Sequence, residues 1–283
     1  MLSSSVATTR VLEADDLPAA LEVLDRDPIA NAFVAARVAV AGLDHWRLGG
    51  EMWGWFDNGR LDALCYAGAN LVPLSAGPEA VQAFAERARR AGRRCSSIVG
   101  PAEATGLLWS LLEPSWGPAR EVRANQPLMA TWEPSAEIAP DPRVRRVRRD
   151  EMDLLLPACV AMFTEEVGIS PLAGDGGLLY RARVAELVGT GRAFARFEAG
   201  RVVFKAEIGA ATSRACQIQG VWVAPGHRGR GLSKGGMAAV VEHALNEVAP
   251  VVSLYVNDFN TAARASYRRV GFSEVGTFMS VLF

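Results

Sequence analysis

The sequence predicts a mixed α/β fold, with parallel and antiparallel strands in its sheet, that occurs twice in tandem. Three observations lead to this prediction. Short strands and amphipathic helices alternate along residues 10–132, and a similar order of elements returns in the second half of the chain. A proline-rich stretch, residues 133–142, lies between the halves. The length of 283 residues also suits two domains.

The predicted boundaries are an N-terminal domain over residues 1–135, a linker over residues 136–142 and a C-terminal domain over residues 143–283. Pro140 and Pro142 keep the linker out of helices and central strands, because proline has no amide hydrogen to donate. Each half is long enough to bury a core, since 50% of the residues are hydrophobic and 22% are charged.

The N-terminal half opens with a strand and a helix over residues 17–24, which Asp15 or Asp16 caps. A second helix follows the break at Pro28. Residues 57–59, Asp-Asn-Gly, have the composition of a tight hairpin turn. The other predicted elements are strands over residues 52–56, 61–66, 70–75, 96–99 and 127–132 and helices over residues 79–91 and 103–112.

The C-terminal half begins with a basic stretch, residues 143–149. We interpret it as an edge strand protected by charge rather than as a nucleic-acid-binding surface. Residues 198–201 join two strands as a hairpin. The other predicted elements are helices over residues 150–167, 177–188, 232–248 and 261–270 and strands over residues 192–197, 202–208, 216–223 and 251–256.

A basic, glycine-rich turn joins the predicted strand over residues 216–223 to the helix that begins at Leu232. Amides at a helix N-terminus lack intrahelical partners and the helix dipole favours negative charge there, so the main chain of this turn can hold a phosphate. Gly229 and Gly231 let a ligand come close to the backbone, while Arg228 and Arg230 supply positive charge. The residues of this turn match neither the P-loop motif nor the glycine spacing of the dinucleotide-binding motif. We interpret the turn as a diphosphate site.

A second motif follows in the chain. Asn257 and Asn260 precede the predicted helix over residues 261–270, which carries Tyr267 and ends at Gly271-Phe272. Together with the run Arg228-Gly229-Arg230-Gly231-Leu232-Ser233, this motif resembles the GNAT superfamily of acyl-CoA-dependent N-acetyltransferases. In that family an Arg/Gln-x-x-Gly-x-Gly/Ala loop binds the pyrophosphate of acetyl-CoA. Ser233 stands where the family has glycine or alanine, and its small side chain still permits close approach.

The resemblance implies that the C-terminal half binds acetyl-CoA as acyl donor and that a primary amine attacks the thioester directly in a ternary complex. It also makes Tyr267 the acid that protonates the departing thiolate, the alternative being a core aromatic residue. The residues implied for binding acetyl-CoA are Val221, Trp222, Val223, Arg228, Gly229, Arg230, Gly231, Leu232, Ser233, Asn257, Asn260 and Tyr267.

The sequence leaves the general base open. In the family, the strand before the loop often carries or positions the base, and here its polar residues are Gln217 and Gln219, which cannot take up a proton at neutral pH. Glu207, which shares a sheet face with Lys205, is one candidate, and a solvated sheet face is its alternative. The other candidates are a helix-end carboxylate, a water molecule and the terminal carboxylate of Phe283, a role that the resemblance suggests.

Two carboxylates, Glu165 and Glu166, lie at the end of the predicted helix over residues 150–167, where they oppose the helix dipole. Such carboxylates either attract an amine substrate or are simply solvated. We therefore include them with Phe283 as candidate substrate-binding residues. A lysine side chain, a protein N-terminus and a small amine all fit as the acceptor.

The N-terminal half lacks the phosphate-binding turn. At the corresponding position Pro78 removes an amide donor and Glu79 places negative charge where a pyrophosphate would bind. We therefore predict a degenerate GNAT-like copy that does not bind acyl-CoA through that turn.

The composition argues against nucleic-acid and membrane partners. With a formal net charge of -1, the protein has no bulk electrostatic attraction to nucleic acid or to an anionic membrane. No apolar run is long enough to span a bilayer, and residues 1–9 lack the layout of a signal peptide, so we expect a cytoplasmic protein. The cysteines and histidines show no ligand spacing, so we expect no metal. The oligomeric state stays open.

A second functional class also stays open, namely a non-catalytic acyl-CoA-binding or regulatory module whose N-terminal half engages a protein partner. Gln217 and Gln219 favour this alternative because neither can act as a base, whereas Tyr267 favours an enzyme.

Overall fold

The computed structural model describes residues 7–173 and 176–283. Residues 1–6, which open the stretch considered for a signal peptide, and residues 174–175 lie outside the described residues. The chain divides into two compact units, each of which combines helices with parallel and antiparallel strand pairs. The predicted mixed α/β class is therefore confirmed.

The described residues form twelve strands and nine α-helices. The strands are β1 (Thr8–Val11), β2 (Gly50–Asp57), β3 (Arg60–Gly68), β4 (Asn70–Leu74), β5 (Ser97–Pro101), β6 (Glu121–Thr131), β7 (Arg145–Arg146), β8 (Ala193–Glu198), β9 (Arg201–Ala211), β10 (Cys216–Val223), β11 (Val252–Tyr255) and β12 (Ser273–Leu282). The helices are α1 (Leu17–Leu24), α2 (Ala32–Ala41), α3 (His45–Leu48), α4 (Pro78–Ala91), α5 (Ala102–Trp116), α6 (Met152–Val167), α7 (Leu178–Gly189), α8 (Leu232–Glu247) and α9 (Thr261–Val270).

The first unit takes in the described residues up to Met129 together with Tyr255–Asn260 and Glu274–Phe283. Its strand order is β1-β2-β3-β4-β5-β12-β6, with β4 and β5 parallel. The predicted hairpin is confirmed, because Asp57 pairs with Arg60 across a two-residue turn. The alternation of side chains along β2 and β3 sends Trp53 and Cys65 to the helices α4 and α5 and their neighbours to α1 and α2.

The last strand of the chain belongs to the first unit. β12 pairs antiparallel with β5, from Phe278 opposite Pro101 to Leu282 opposite Ser97. Two C-terminal segments, Tyr255–Asn260 and Glu274–Phe283, therefore group with the N-terminal half of the chain in one compact unit. Hydrogen bonding across a sheet joins segments that are distant in sequence, and local composition does not reveal such pairing.

The predicted cap of α1 is only partly right. Asp16 occupies the N-cap position, but its side chain forms no capping hydrogen bond to α1. The carboxylate instead accepts hydrogen bonds from the Arg10 guanidinium at 2.6 Å and 2.7 Å and from the amide of Glu13 at 2.9 Å. Arg10 competes for the carboxylate because charge-assisted pairs are stronger than neutral ones.

The second unit comprises Ala130–Leu254 and Thr261–Ser273. Its strand order is β11-β10-β9-β8-β7, and β10 is parallel to β11 but antiparallel to β9. Helices α6 and α7 pack on one sheet face through Cys159, Leu187 and Ala195, among other residues. On the other face α8 comes close to Phe204, since a Cβ added at Gly236 would lie 2.6 Å from that ring.

The basic stretch over residues 143–149 is largely irregular, and only Arg145 and Arg146 form strand β7, at the sheet edge beside β8. Its arginines pair with carboxylates of the same unit. Arg145 donates two hydrogen bonds to Glu151, at 2.8 Å and 2.7 Å, and Arg146 reaches Glu247 at 2.9 Å. These pairs agree with the interpretation as a charged edge.

The predicted linker, residues 136–142, is anchored to the second unit. The Asp141 amide donates to the carbonyl oxygen of Gly235 at 2.9 Å, and the Asp141 carboxylate accepts a hydrogen bond from Arg196 at 2.7 Å. Both side chains of this ion pair are 10% exposed. The segment therefore packs as part of that unit rather than as a free spacer.

Candidate active site

The glycine-rich turn connects β10 to α8 through a short 3-10 turn at Pro225–His227. Arg228 is extended, whereas Gly229 has φ +75° and Gly231, the N-cap of α8, has φ +78°. Residues with a side chain rarely adopt this left-handed region. A Cβ added at either glycine meets no described atom within 4 Å, so the turn borders open space. The glycines are therefore required by the backbone conformation.

The amides of this turn are available to an anion. The amides of Lys234 and Gly235 both donate to the carbonyl oxygen of Gly231, which starts the helix. The amides of Gly229 and Gly231 make no main-chain hydrogen bond with any described residue. Two amides without a main-chain partner among the described residues, both on left-handed glycines, thus lie at the N-terminus of α8, where the helix dipole also favours an anion.

Two predicted site residues meet beside this turn. Arg228 donates to Glu165 at 2.6 Å and to the carbonyl oxygen of Val223 at 3.0 Å. The indole N–H of Trp222 donates to the other oxygen of Glu165 at 3.3 Å. Glu165, expected to attract an amine, thus neutralises an arginine that was expected to face phosphate. Both side chains are about half exposed, so solvent and ligands can compete for the pair.

A buried polar cluster lies on β9 and β10. Lys205 is 1% exposed, and its ammonium group lies 3.3 Å from Glu207 and donates to the carbonyl oxygen of Gly220 at 3.0 Å. Gln219, which is paired with Glu207 across the strands, donates to the second carboxylate oxygen at 3.1 Å. Burial lowers the pKa of Lys205, but attraction to Glu207 and Cys159 outweighs it, so the pKa is raised.

The main chain of β10 is irregular at this cluster. β10 and β11 are paired at Cys216 with Val252 and at Gln217 with Ser253, and no pairing between these strands is described beyond that point. Between Gln219 and Trp222, β10 contains one residue more than β9, a bulge that includes Gly220 with φ +59°. The bulge turns the carbonyl oxygen of Gly220 onto Lys205, and β10 leaves β11 just before the glycine-rich turn.

Tyr267 lies on α9 and is 7% exposed. Burial, with a smaller contribution from Glu166, raises the pKa of its phenol, which therefore stays protonated at neutral pH. Its neighbour Ser266 shares a hydrogen bond of 3.1 Å with Ser233 at the start of α8. This contact joins the helix that carries Tyr267 to the glycine-rich turn.

The remaining predicted site residues make their contacts in the first unit. The Asn257 side chain accepts a hydrogen bond from Gln126 at 2.8 Å, and the Asn260 amide donates to the carbonyl oxygen of Asn257. The ring of Phe283 packs against Trp109 and Trp116, with centroid distances of 5.6 Å and 5.8 Å.

The turn of the first unit that corresponds to the glycine-rich turn has different chemistry. It borders a cavity of about 330 Å³ that includes Gly77 and Pro78 in its lining. The charged lining residues are Asp27 and Glu103, and the lining includes no arginine or lysine. This acidic cavity is unsuited to a diphosphate.

The sequence did not reveal how completely the polar cluster is buried. The sequence predicts that Lys205 and Glu207 share a sheet face. It does not predict the hydrogen bond from Gln219 to Glu207. Nor does it predict that the Nε2 atom of Gln217 is buried without an acceptor in the described part of the chain. The one available signal was the apolar run that surrounds Lys205 on β9, which indicates burial on both faces.

Comparison with known families identifies the second half of the chain. Residues 152–272 match the sequence model of the acetyltransferase (GNAT) family. These residues form a GNAT-family domain. Residues 50–155 match a domain of unknown function (DUF4081), which agrees with a two-part chain. No curated protein matches the sequence.

Solved structures show the same fold over nearly the whole chain. A GCN5-related N-acetyltransferase from Sphaerobacter thermophilus aligns with TM-score 0.60 and 18% identity, covering 98% of this chain and 95% of that one. An acetyltransferase of the GNAT family from Colwellia psychrerythraea aligns with a TM-score of 0.55 and 14% sequence identity, and the alignment covers 98% of this chain and 99% of that one. A tandem GNAT protein from the clavulanic acid biosynthesis pathway aligns with a TM-score of 0.56 and 15% sequence identity, and the alignment covers 98% of each chain. The predicted tandem of GNAT-like folds is confirmed.

Within residues 7–173 and 176–283, no group of three histidine, cysteine or acidic side chains is placed to hold a metal ion. The helices that the structure describes include none that is long and apolar enough to cross a bilayer.

Proposed function

We propose that the GNAT domain is an acetyl-CoA-dependent N-acetyltransferase that acts on a primary amine by direct attack in a ternary complex. The observation that carries the proposal is the pair of amides without a described main-chain partner, on two left-handed glycines, at the N-terminus of α8. Such a site fits a pyrophosphate, and the family match over residues 152–272 makes acyl-CoA the expected source of that group.

Acetyl-CoA supplies an activated acetyl group as a thioester. Gly229, Gly231 and Leu232 would hold its pyrophosphate by main-chain amides, and Arg230 would add charge. Arg228 would do so only after exchanging its ion pair with Glu165, which is half exposed. Ser233, Asn257 and Asn260 complete the set of proposed binding residues, together with Val221, Trp222 and Val223 on the strand before the turn.

Glu207 is the proposed general base. Gln219 stands on the strand where the family often places the base, and its amide donates to Glu207 on the neighbouring strand. The Lys205 ammonium group lies 3.3 Å from this carboxylate and so places a positive charge beside it. Because Glu207 is only 8% exposed, it would accept the proton of the amine through water.

Tyr267 is the proposed acid. Its phenol is protonated at neutral pH, since burial raises its pKa further above neutrality, and it would give this proton to the departing thiolate. Glu165 and Glu166 are the proposed attractants for the amine, and the terminal carboxylate of Phe283 remains a proposed substrate contact. We also propose that the protein is cytoplasmic and that the chain is divided along its sequence into domains over residues 1–135 and 143–283 with a linker over residues 136–142, while Glu274–Phe283 adds a strand to the first compact unit.

The experiment that tests the proposal measures thiol release from acetyl-CoA across a panel of small amines, lysine peptides and peptides with free N-termini. We expect release with at least one amine and a large decrease in Glu207→Gln, whose side chain has the same size and one acceptor oxygen but cannot take up a proton. Stoichiometric CoA binding without thiol release from any amine would select the non-catalytic module.

A further inference from the structure

A large cavity in the first unit has no role in the proposed acetyl transfer. Its volume is about 780 Å³, within the range of small-molecule sites. The lining includes Ala69 and Leu71 at the start of β4, whereas the acidic cavity lies at the opposite end of that strand. Residues from α3, the end of β3 and the end of α4 complete the wall.

The cavity has an excess of positive charge. Arg87, Arg90 and Arg94 line it, and Glu51 is the only carboxylate among its lining residues. Glu51 accepts a hydrogen bond from Trp53 at 2.7 Å and lies 3.9 Å from Arg87. Arg94 forms no ion pair with any residue that the structure describes. An anion is therefore the charge complement of this wall.

Of the three arginines that line the cavity, only Arg90 lies in the last turn of α4, where the helix dipole favours a cation. Arg89 and Arg90 lie in its last turn, where cations offset the partial negative charge of the helix end. Arg94 lies beyond the C-cap residue Gly92. Arg87 lies over Trp53, with its Cζ atom 5.2 Å from the ring centroid. Arg90 also lies 3.5 Å from Glu86, so Arg94 is the lining arginine whose charge is offset neither by the helix dipole nor by an ion pair with a described residue.

The cavity also has aromatic walls, formed by Trp46, Trp53 and Trp116. Trp46 is 83% exposed, although an indole ring gains much from contact with another apolar surface. The indole N–H of Trp116 is buried and lacks an acceptor within the described residues. The ring of Trp116 therefore contributes an apolar wall, and the guanidinium groups are the polar groups that face a ligand.

We propose that this cavity binds a small aromatic carboxylate. Guanidinium groups bind carboxylates with paired, directional hydrogen bonds, and tryptophan faces bind planar rings. Ala67, Leu71 and Ala88 add apolar surface beneath such a ring.

The test is an NMR titration of the isotope-labelled full-length protein with indole-3-acetate and, separately, with tryptamine, which carries the same ring and the opposite charge. The chain has seven tryptophans, each with one indole N–H signal. We expect indole-3-acetate to shift the signals of Trp46, Trp53 and Trp116 but not that of Trp222, and tryptamine to bind at least about tenfold more weakly. Equal affinities, shifts spread over all indoles, or no shift at millimolar concentration would overturn the proposal.

A pair of double variants separates this site from general surface charge. Arg90→Gln with Arg94→Gln should weaken indole-3-acetate binding at least about tenfold. The control, Arg60→Gln with Arg89→Gln, removes the same charge from arginines that do not line the cavity and should bind like the wild type. Equal affinity in the two double variants contradicts the proposed site, and their amide spectra report whether both are folded.

Discussion

At the residue scale, the conformations of Gly229 and Gly231 determine whether the turn can hold a diphosphate. Both glycines lie in the left-handed region and border open space, so a side chain there strains the backbone and also occupies the volume that a phosphate needs. Arg230, by contrast, would add charge from an exposed side chain, where solvent screens the interaction.

We therefore expect Gly231→Val to weaken CoA binding at least about tenfold, and by more than Arg230→Gln does. Isothermal titration calorimetry measures both. The matched control is Gly200→Val, because Gly200 has φ +73°, meets no atom at its added Cβ and lies in the hairpin turn between β8 and β9. It carries the same backbone strain and should leave CoA affinity unchanged. Wild-type affinity in Gly231→Val contradicts the assignment of the turn.

The second residue-scale prediction concerns Tyr267. Tyr267→Phe keeps the ring and its contact with Phe272, at a centroid distance of 6.0 Å, while removing the proton. Turnover on the best amine should fall at least about tenfold with CoA affinity preserved, since a positioned acid contributes roughly a hundredfold or more to the rate. Steady-state kinetics and calorimetry give the two values. Full turnover under conditions where chemistry limits the rate makes Tyr267 a packing residue.

At the scale of elements, a carboxylate attaches the edge strand β7 to the start of α6. The two hydrogen bonds from Arg145 hold the pKa of Glu151 down at about 2, with help from the amide of Arg148. Because the pKa of Glu151 is lower in the folded state than in the unfolded state, the ionised carboxylate stabilises the fold fully at pH values above about 4.5. This stabilisation is lost as the pH falls towards 2.

Glu151→Gln should therefore lower the free energy of unfolding at pH 7 by about 1 to 3 kcal/mol. The difference from the wild type should shrink as the pH falls from about 4.5 towards 2, where the wild-type carboxylate also takes up a proton. Urea unfolding at several pH values measures it. Asp150→Asn is the matched control, because Asp150 is 72% exposed and its loss should cost little. A pH-independent difference would contradict the role of the ionised carboxylate.

The sequence predicts elements best where periodicity and turn chemistry act locally. The bounds of α1, α9 and β10 agree with the predicted residues 17–24, 261–270 and 216–223. α3 was missed because four residues are too few for a periodic signal. β12 was missed because its first five residues are exposed, and its partner β5 lies far away in the sequence.

The candidate site shows the same limit. The glycine-rich turn could be predicted because neighbouring residues in the sequence determine where a helix begins and which backbone amides lie at its N-terminus. The pairing of Arg228 with Glu165 and of Gln219 with Glu207 depends on strand register and helix placement, which the sequence does not give. The orphaned amide of Gln217 likewise becomes visible only when every neighbour is in place.

At the scale of the whole molecule, two GNAT-like units differ in the turn that would receive a diphosphate. The second unit offers unpaired amides on left-handed glycines, whereas the first offers Pro78, Glu79 and an acidic cavity. A fragment of residues 1–135 would lack β12, a strand of the first unit, so the difference between the units is better tested in the intact chain.

A calorimetric titration of the full-length protein with CoA measures directly whether the turn before α8 binds acyl-CoA. One acyl-CoA site, at the turn before α8, predicts one equivalent of CoA per chain, and Gly231→Val should lose most of this binding. Two equivalents would show that the first unit also binds CoA, and the absence of binding would remove the basis for acetyl transfer. Either of these results contradicts the account.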